Sequence, residues 1–426
     1  MLDLCGKFAE ERGLQFNTSK SAILSLGEQE GSLDFTIQGS TIPHQESYAY
    51  LGVDIVAAQH GFQNYEQKLR GKAQRAIGYL NWVAQWSFNY TLVVREVWKT
   101  VVVPTITYAN AVLCISSGTR EFLERKQREI GRMALKGHRS TPNEAVIGDL
   151  GLSTFEAREA TSKATFENRL MNMEEHKWPR IIYKMTLFAG IPTRWNLRTR
   201  KLEEKYKIPV MLLERTSPGL SDKEIREQVA ATETDAWRTS MEKKPALEIY
   251  RTEKTRIANV IGLYDNSQES GRLFEARCGV LRTREWRSKF EPIDVSCQLC
   301  KEGLVENMRH VVLDCAALGG KRTCPIEEAL GFHTTNGEDA EVTTTKRRLR
   351  QWMTQDRQER QRRSNEKTPT HAGPSSAIAI GGYGSTKADA EVNVDDTYCR
   401  PSATQTKSTG KDDRANTSTG GRGNQI

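Results

Sequence analysis

Cys297-Gln-Leu-Cys300, His310 and Cys315 lie within 19 positions, in the pattern C-x2-C-x9-H-x4-C. No other feature limits the local fold so tightly, because all four side chains must converge on one point if they share an ion. A C-x2-C turn lets two thiolates meet one metal, and an H-x4-C pair can close a tetrahedron from a following helix or loop. Three sulfurs and one nitrogen suit Zn²⁺ over Mg²⁺ or Ca²⁺. Four protein ligands leave no open position for a water, so the site reads as structural and not catalytic. The competing reading is cysteines packed as small hydrophobes with His310 incidental. Cys324 is a substitute ligand should Cys315 be misplaced, whereas Cys5, Cys114, Cys278 and Cys399 are isolated and read as core or inert positions.

Eight cysteines have this meaning only in a reducing compartment. The first ten residues carry charges where a signal peptide needs an apolar core, and no apolar run approaches a bilayer span. The expectation is an intracellular protein, cytoplasmic or nuclear, with no membrane partner and with metal rather than disulfides as the use of its clustered cysteines. Lys346-Arg-Arg-Leu-Arg350 is a candidate nuclear signal, though such clusters are also found as solvated faces.

The 426 residues suggest two or three domains. With 62 Lys+Arg against 54 Asp+Glu the net charge is +8, which favours a polyanion through counterion release but does not by itself separate such a partner from a merely basic protein. Ahead of the cysteines, Arg272, Arg277, Arg282, Arg284, Arg287 and Lys289 interleave with Phe274, Trp286 and Phe290. Cations can neutralise phosphates while rings stack on unpaired bases. Arg277, Arg282, Arg284, Trp286 and Arg287 are therefore the expected nucleic-acid contacts. The alternative is a solvated helix face with its aromatics in the core.

Along the chain, Leu2, Cys5, Phe8 and Ala9 predict a helix over 1–12 with Gly13 after it. Ala22–Leu26, Leu33–Ile37 and Tyr48–Ile55 read as short strands. Tyr65, Leu69, Ala73, Ala76, Ile77, Leu80 and Val83 form one helical stripe. Next come a helix of roughly 91–103 closed by Pro104, and one from Arg120 to Lys136 with Thr119 as its N-cap. Thr141-Pro-Asn-Glu144, Ser153-Thr-Phe-Glu156 and Ser221-Asp-Lys-Glu224 predict three capping boxes, the last before Ile225, Val229 and Trp237. Lys346 to Arg363, with eight basic and two acidic residues, reads as a helix, and the Ser/Thr/Gly-rich stretch after Ser364 as disordered.

These segments, in this order, resemble the polyproteins of non-LTR (LINE-type) retrotransposons downstream of the polymerase active site. Gly13-Leu-Gln-Phe-Asn-Thr-Ser-Lys20 resembles that family's fourth palm motif, and Tyr50-Leu-Gly-Val53 its primer-grip hairpin. Val103-Pro-Thr-Ile-Thr-Tyr108 and Thr141-Pro-Asn-Glu-Ala145 with Gly148 to Gly151 are similar to segments of its helical thumb. Cys297, Cys300, His310 and Cys315 are similar to its zinc knuckle. The resemblance covers roughly residues 1–320. It implies that Lys20 is an auxiliary group protonating leaving pyrophosphate, that Tyr50, Leu51 and Gly52 position a primer end, and that the knuckle binds template RNA or target DNA.

The same resemblance implies a Tyr-x-Asp-Asp turn and one earlier aspartate holding two Mg²⁺ ions, which stabilise the attacking and leaving oxygens. That turn would lie upstream of residue 1. Asn393-Val-Asp-Asp396 imitates it without a strand pair to aim it. The chain alone is thus expected to be inactive as a polymerase, with Mg²⁺ relevant only to an intact enzyme and no small-molecule substrate. The expected fold is mainly α with a small α+β N-terminal part: palm remnant 1–58, helical thumb 59–185, helical connector 186–270, basic segment with zinc knuckle 271–330, and basic helix with tail 331–426. Two other functions fit the same residues: a non-enzymatic zinc-dependent nucleic-acid-binding protein derived from such an element, and a helical scaffold for protein partners stapled by zinc.

Overall fold

Three residues whose backbones turn left-handed set the shape of the N-terminal part. Gly13 (φ +67°) ends helix α1 (Leu2–Glu10), and the pair Leu51 (φ +49°) and Gly52 (φ +80°) reverses the chain between strands β3 (Ser47–Tyr50) and β4 (Val53–Val56); for this numbering β1 is Thr36–Ile37 and β2 is Ser40–Thr41. Positive φ at both central positions makes the β3–β4 turn one whose twist matches antiparallel strands. Ser47 pairs with Val56 and Tyr50 with Val53. The chain's computed structural model describes residues 1–25, 34–56, 62–209, 220–260, 262–334 and 339–366.

The strand expected at Ala22–Leu26 is reduced to a single parallel bridge between Ile23 and His44, with Leu26 outside the described residues. β1–β2 and β3–β4 are two separate two-stranded ladders rather than one sheet. The predicted apolar face of α1 is mostly in solvent. Cys5 and Phe8 are exposed and only Gly6 and Ala9 are buried, against β1.

From residue 63 onward the chain is helical. α2 (Gln63–Gln85) buries Tyr65, Leu69, Ala73, Ala76, Leu80 and Ala84, close to the stripe read from the sequence. α3 (Tyr90–Val97) does not stop at Pro104. A π-helical turn over Trp98–Val102 follows, and α4 (Val103–Thr107) continues with the proline in its first turn. Proline lacks an N–H and crowds the carbonyl four residues back; the wider turn, in which the Val103 N–H reaches the Trp98 carbonyl, provides room for it. α5 (Ser117–Ala134) is capped by Ser116, whose side chain accepts from the Thr119 N–H, so Thr119 is not the cap.

α6 (Asn143–Leu150) begins without a side-chain cap, since the Thr141 hydroxyl donates to the His138 carbonyl. α7 (Phe155–Asn172) is capped by Thr154, one residue later than expected, and the hydroxyls of Ser153 and Thr154 both donate to Glu233. α8 (Trp178–Phe188), α9 (Arg194–Tyr206) and α10 (Asp222–Glu242) follow. α10 opens with the capping box of Ser221 and Glu224 as read, and buries Ile225, Val229 and Trp237.

α11 (Glu248–Glu253) brings Tyr250 against α6 at Gly148, where an added Cβ would lie 2.5 Å from the Tyr250 hydroxyl and 2.7 Å from the Trp237 ring. α12 (Gln268–Arg277), α13 (Arg284–Ser288), α14 (Ile326–Ala329) and α15 (Ala340–Glu366) complete the helices. The tail expected to be disordered lies, beyond Glu366, outside the described residues.

One hydrophobic core runs from Ala73 of α2 through Trp98, Val146, Trp237, Tyr250 and Phe274 to Cys297, Val312, Leu349 and Trp352. This core draws on residues on both sides of 185/186, 270/271 and 330/331. At its centre the Asp149 carboxylate accepts from Arg277, Tyr250 and Tyr264, tying α6, α11, the segment before α12, and α12 together. Among the described residues no helix is long and apolar enough to cross a membrane.

Candidate metal centre and basic surfaces

The C-x2-C segment is the turn of a small hairpin. Ser296 and Val305 form an antiparallel bridge, and the Cys297 N–H donates to the Leu304 carbonyl at 2.7 Å. Lys301 (φ +56°) and Gly303 (φ +72°) take the left-handed conformations that bend the chain between them. The second half starts where Asn307 Oδ1 accepts from the His310 N–H at 2.8 Å, opening a π-helical turn over His310–Asp314. This turn is what makes H-x4-C work. An α-helix advances about 100° per residue, so residues five apart would point roughly 140° apart. Closing the turn through the Cys315 N–H to the His310 carbonyl, at 2.8 Å, returns the two side chains to one side.

The ligand atoms of Cys297, Cys300, His310 and Cys315 all lie within 4.8 Å of one another. Cys297 Sγ is 3.9 Å from Cys315 Sγ, and Cys300 Sγ is 3.6 Å from His310 Nε2. A tetrahedron with the usual zinc bond lengths has edges of about 3.8 Å between sulfurs and about 3.5 Å between sulfur and nitrogen. The cluster is thus able to hold a metal ion and is compatible with zinc. Burial pushes the Cys297 thiol up to about 12 and raises Cys315 as well, while burial lowers the His310 imidazole, favouring the neutral ring that a metal requires. A bound cation would displace the thiol protons. Cys324 is not in the cluster; its thiol bonds to Glu341. Cys278 is buried in the main core, Cys5 is exposed, and Cys399 lies outside the described residues.

Behind the cluster stands Arg348 of α15, almost fully buried. Its guanidinium donates to the carbonyls of Val311, Cys315, Leu318 and Gly320. The run Lys346–Arg350 is consequently not a continuous solvated cluster, since Lys346 also pairs with Asp265 at 2.7 Å and Arg350 pairs with Glu269.

The basic residues ahead of the cysteines are largely occupied. Arg277, expected on a nucleic-acid face, is 2% exposed and donates to Asp149 Oδ2 at 3.1 Å and to the Leu330 carbonyl at 2.7 Å. Arg284 is 3% exposed and donates to the Asp294 carbonyl at 3.0 Å. Both guanidinium groups, expected on an open nucleic-acid face, are instead buried against acceptors of the protein itself. Arg282 pairs with Glu275, and Arg287 with Asp356 at 2.9 Å, both half-buried. Trp286 is half-buried beside exposed Phe290, ring centroids 5.0 Å apart, while Phe274 is in the core.

Lys20 is exposed, and its carbonyl accepts from the Tyr48 hydroxyl at 2.7 Å, fixing that turn against β3. Tyr50 and Leu51, at 60% and 69% exposure, form the tip of the β3–β4 hairpin with Gly52. Sequence reasoning missed the outer face of α2, where Tyr79, Trp82 and Trp86 stand in solvent. Its signal is in the sequence: the stripe complementary to the buried one has equally regular spacing.

Compared with known proteins, the chain matches no family model, no curated protein and no solved structure.

Proposed function

We propose that this chain is a nucleic-acid-handling part of a non-LTR retrotransposon reverse transcriptase, binding RNA or DNA through exposed cations and aromatics and holding one structural Zn²⁺. The observation that carries the reading is the convergence of Cys297, Cys300, His310 and Cys315 with tetrahedral spacings. The second support is the hairpin tip. Leu51 keeps a large apolar side chain in solvent on a left-handed backbone, a combination that costs stability and is common where a side chain is held for a ligand. Zinc here would be a fold element, with all four positions filled by protein and no water to activate. The same features fit a non-enzymatic zinc-dependent nucleic-acid-binding protein derived from the element.

A titration of fluorescent single-stranded RNA at several salt concentrations tests the reading. Phosphate contacts require affinity to fall steeply as salt rises. No affinity, or affinity indifferent to salt, would remove the nucleic-acid function and favour a scaffold for protein partners.

A further inference from the structure

The outer face of α2 carries Lys68, Lys72, Arg75, Tyr79, Trp82 and Trp86, spaced four, three, four, three and four residues apart. At 3.6 residues per turn that spacing places all six on a single stripe along the helix. The buried face of α2 is a different stripe, so these side chains take no part in the core. Tyr79 is 57% exposed, Trp82 64% and Trp86 85%, and Phe88 extends the array at 86% just past the helix end. Single exposed aromatics are ordinary, but an unbroken row of four is an interaction surface.

The charge on this helix indicates the occupant. α2 contains Lys68, Arg70, Lys72 and Arg75 against one acid, Glu66, and that acid is turned away, accepting from Ser116 and Thr119. Lys68 pairs with Asp54 at 2.7 Å and Arg70 donates to Thr119 Oγ1 at 3.0 Å. Lys72 and Arg75 make no ion pair among the described residues and stand exposed beside the aromatic row. The backbone just past the helix end is pinned: Asn266 Nδ2 donates to the Ser87 and Phe88 carbonyls at 2.9 and 3.2 Å, and Asn266 Oδ1 accepts from the Tyr90 N–H. A row of exposed rings continuous with cations that make no ion pair among the described residues suits a strand that offers both phosphates and unpaired base faces. A duplex, whose bases are already stacked, would leave the rings without partners.

We infer that the outer face of α2 is a binding track for single-stranded nucleic acid, with Lys72 and Arg75 on phosphates and Tyr79, Trp82, Trp86 and Phe88 stacking on bases. This rests on the nucleic-acid reading above and assigns it to a surface outside the metal centre.

The test uses the full chain, a fluorescent single-stranded RNA, a duplex of the same sequence, and the variants Trp82→Ala, Trp86→Ala and Lys72→Gln/Arg75→Gln. All are surface changes, and unchanged thermal unfolding verifies that each variant is folded. The expected result is a loss of roughly 5- to 150-fold in single-strand affinity for each tryptophan removed. The tryptophan variants should keep the wild-type salt slope. The double cation variant should lower that slope by about 1.4, at roughly 0.7 per phosphate contact on a single strand. Wild-type affinity in all variants would overturn the track while leaving the broader reading intact. Absence of any binding by the wild type would overturn both. Loss of self-association in Trp86→Ala with RNA affinity unchanged would make the row an interface between copies and overturn the track.

Discussion

Arg348 Nη2 donates to the main-chain carbonyl of Cys315 at 3.0 Å, and this guanidinium has no carboxylate partner among the described residues. Its other acceptors, the carbonyls of Val311, Leu318 and Gly320, are also uncharged. A buried charge with no carboxylate in contact, and only Asp314 acting on it from further off, is expensive. Three thiolates and a neutral imidazole around Zn²⁺ carry a net charge of about −1, which would balance Arg348 across one residue of backbone. Arg348→Met should therefore weaken zinc retention against a chelator by roughly 10- to 100-fold, the range seen when groups supporting metal ligands are removed. Zinc affinity equal to wild type in a folded Arg348→Met chain would show that the arginine serves packing alone.

Asp149 and Arg277 form a buried pair that Tyr250 and Tyr264 complete by donating to the same carboxylate. Burial pushes the Asp149 carboxyl up, but the charges of Arg277 and Lys254 and the Tyr264 hydrogen bond outweigh it and hold the group below the usual carboxylate range. Arg277→Ala should destabilise the chain by about 3–5 kcal/mol, because it strands a buried charge. Denaturant unfolding measures this. A nucleic-acid contact at Arg277 would instead reduce RNA affinity with stability unchanged.

Glu203 lies buried against Glu167, with Arg200 bonding both and Tyr183 donating to Glu167. Burial and the neighbouring Glu167 raise the Glu203 carboxyl to about 9. An acid raised in the folded state contributes stability that is complete below its unfolded value, about 4.3, and is lost as pH climbs to 9. Glu203→Gln should match wild type in thermal midpoint near pH 4 and exceed it increasingly from pH 5 to 9. A constant gap across that range would refute the assignment.

At the hairpin tip, Leu51→Asn should raise stability by roughly 1 kcal/mol, since asparagine tolerates the left-handed backbone at lower cost. The same change should weaken RNA binding if the leucine is held for a ligand. Higher stability together with unaltered binding would reduce Leu51 to a turn residue.

How much of this was readable from the sequence depended on the range of the interaction. The stripe from Tyr65 to Leu80 and the Ser221–Glu224 box are local, and both appear where the spacing put them. The convergence of Cys297, Cys300, His310 and Cys315 was legible for the same reason, although the π-helical turn that aligns His310 with Cys315 was not. Caps slipped by one to three residues, from Ser153 to Thr154 and from Thr119 to Ser116; in each case both hydroxyls donate to one distant carboxylate, Glu233 or Glu66, which no local pattern reveals. The burial of Arg277 was not legible because its partner Asp149 is 128 residues away and composition says nothing of such pairings. Arg348 sits in a basic run that reads as solvated, and instead it is buried behind the Cys-Cys-His-Cys cluster, donating to the Cys315 carbonyl.

The central claim is tested most directly by measuring zinc content and single-stranded RNA affinity together, on the wild type and on Cys297→Ser/Cys300→Ser. The account predicts one zinc per wild-type chain, salt-sensitive binding, and loss of both zinc and affinity in the variant. A zinc-free wild-type chain whose RNA binding the variant leaves unchanged would contradict it.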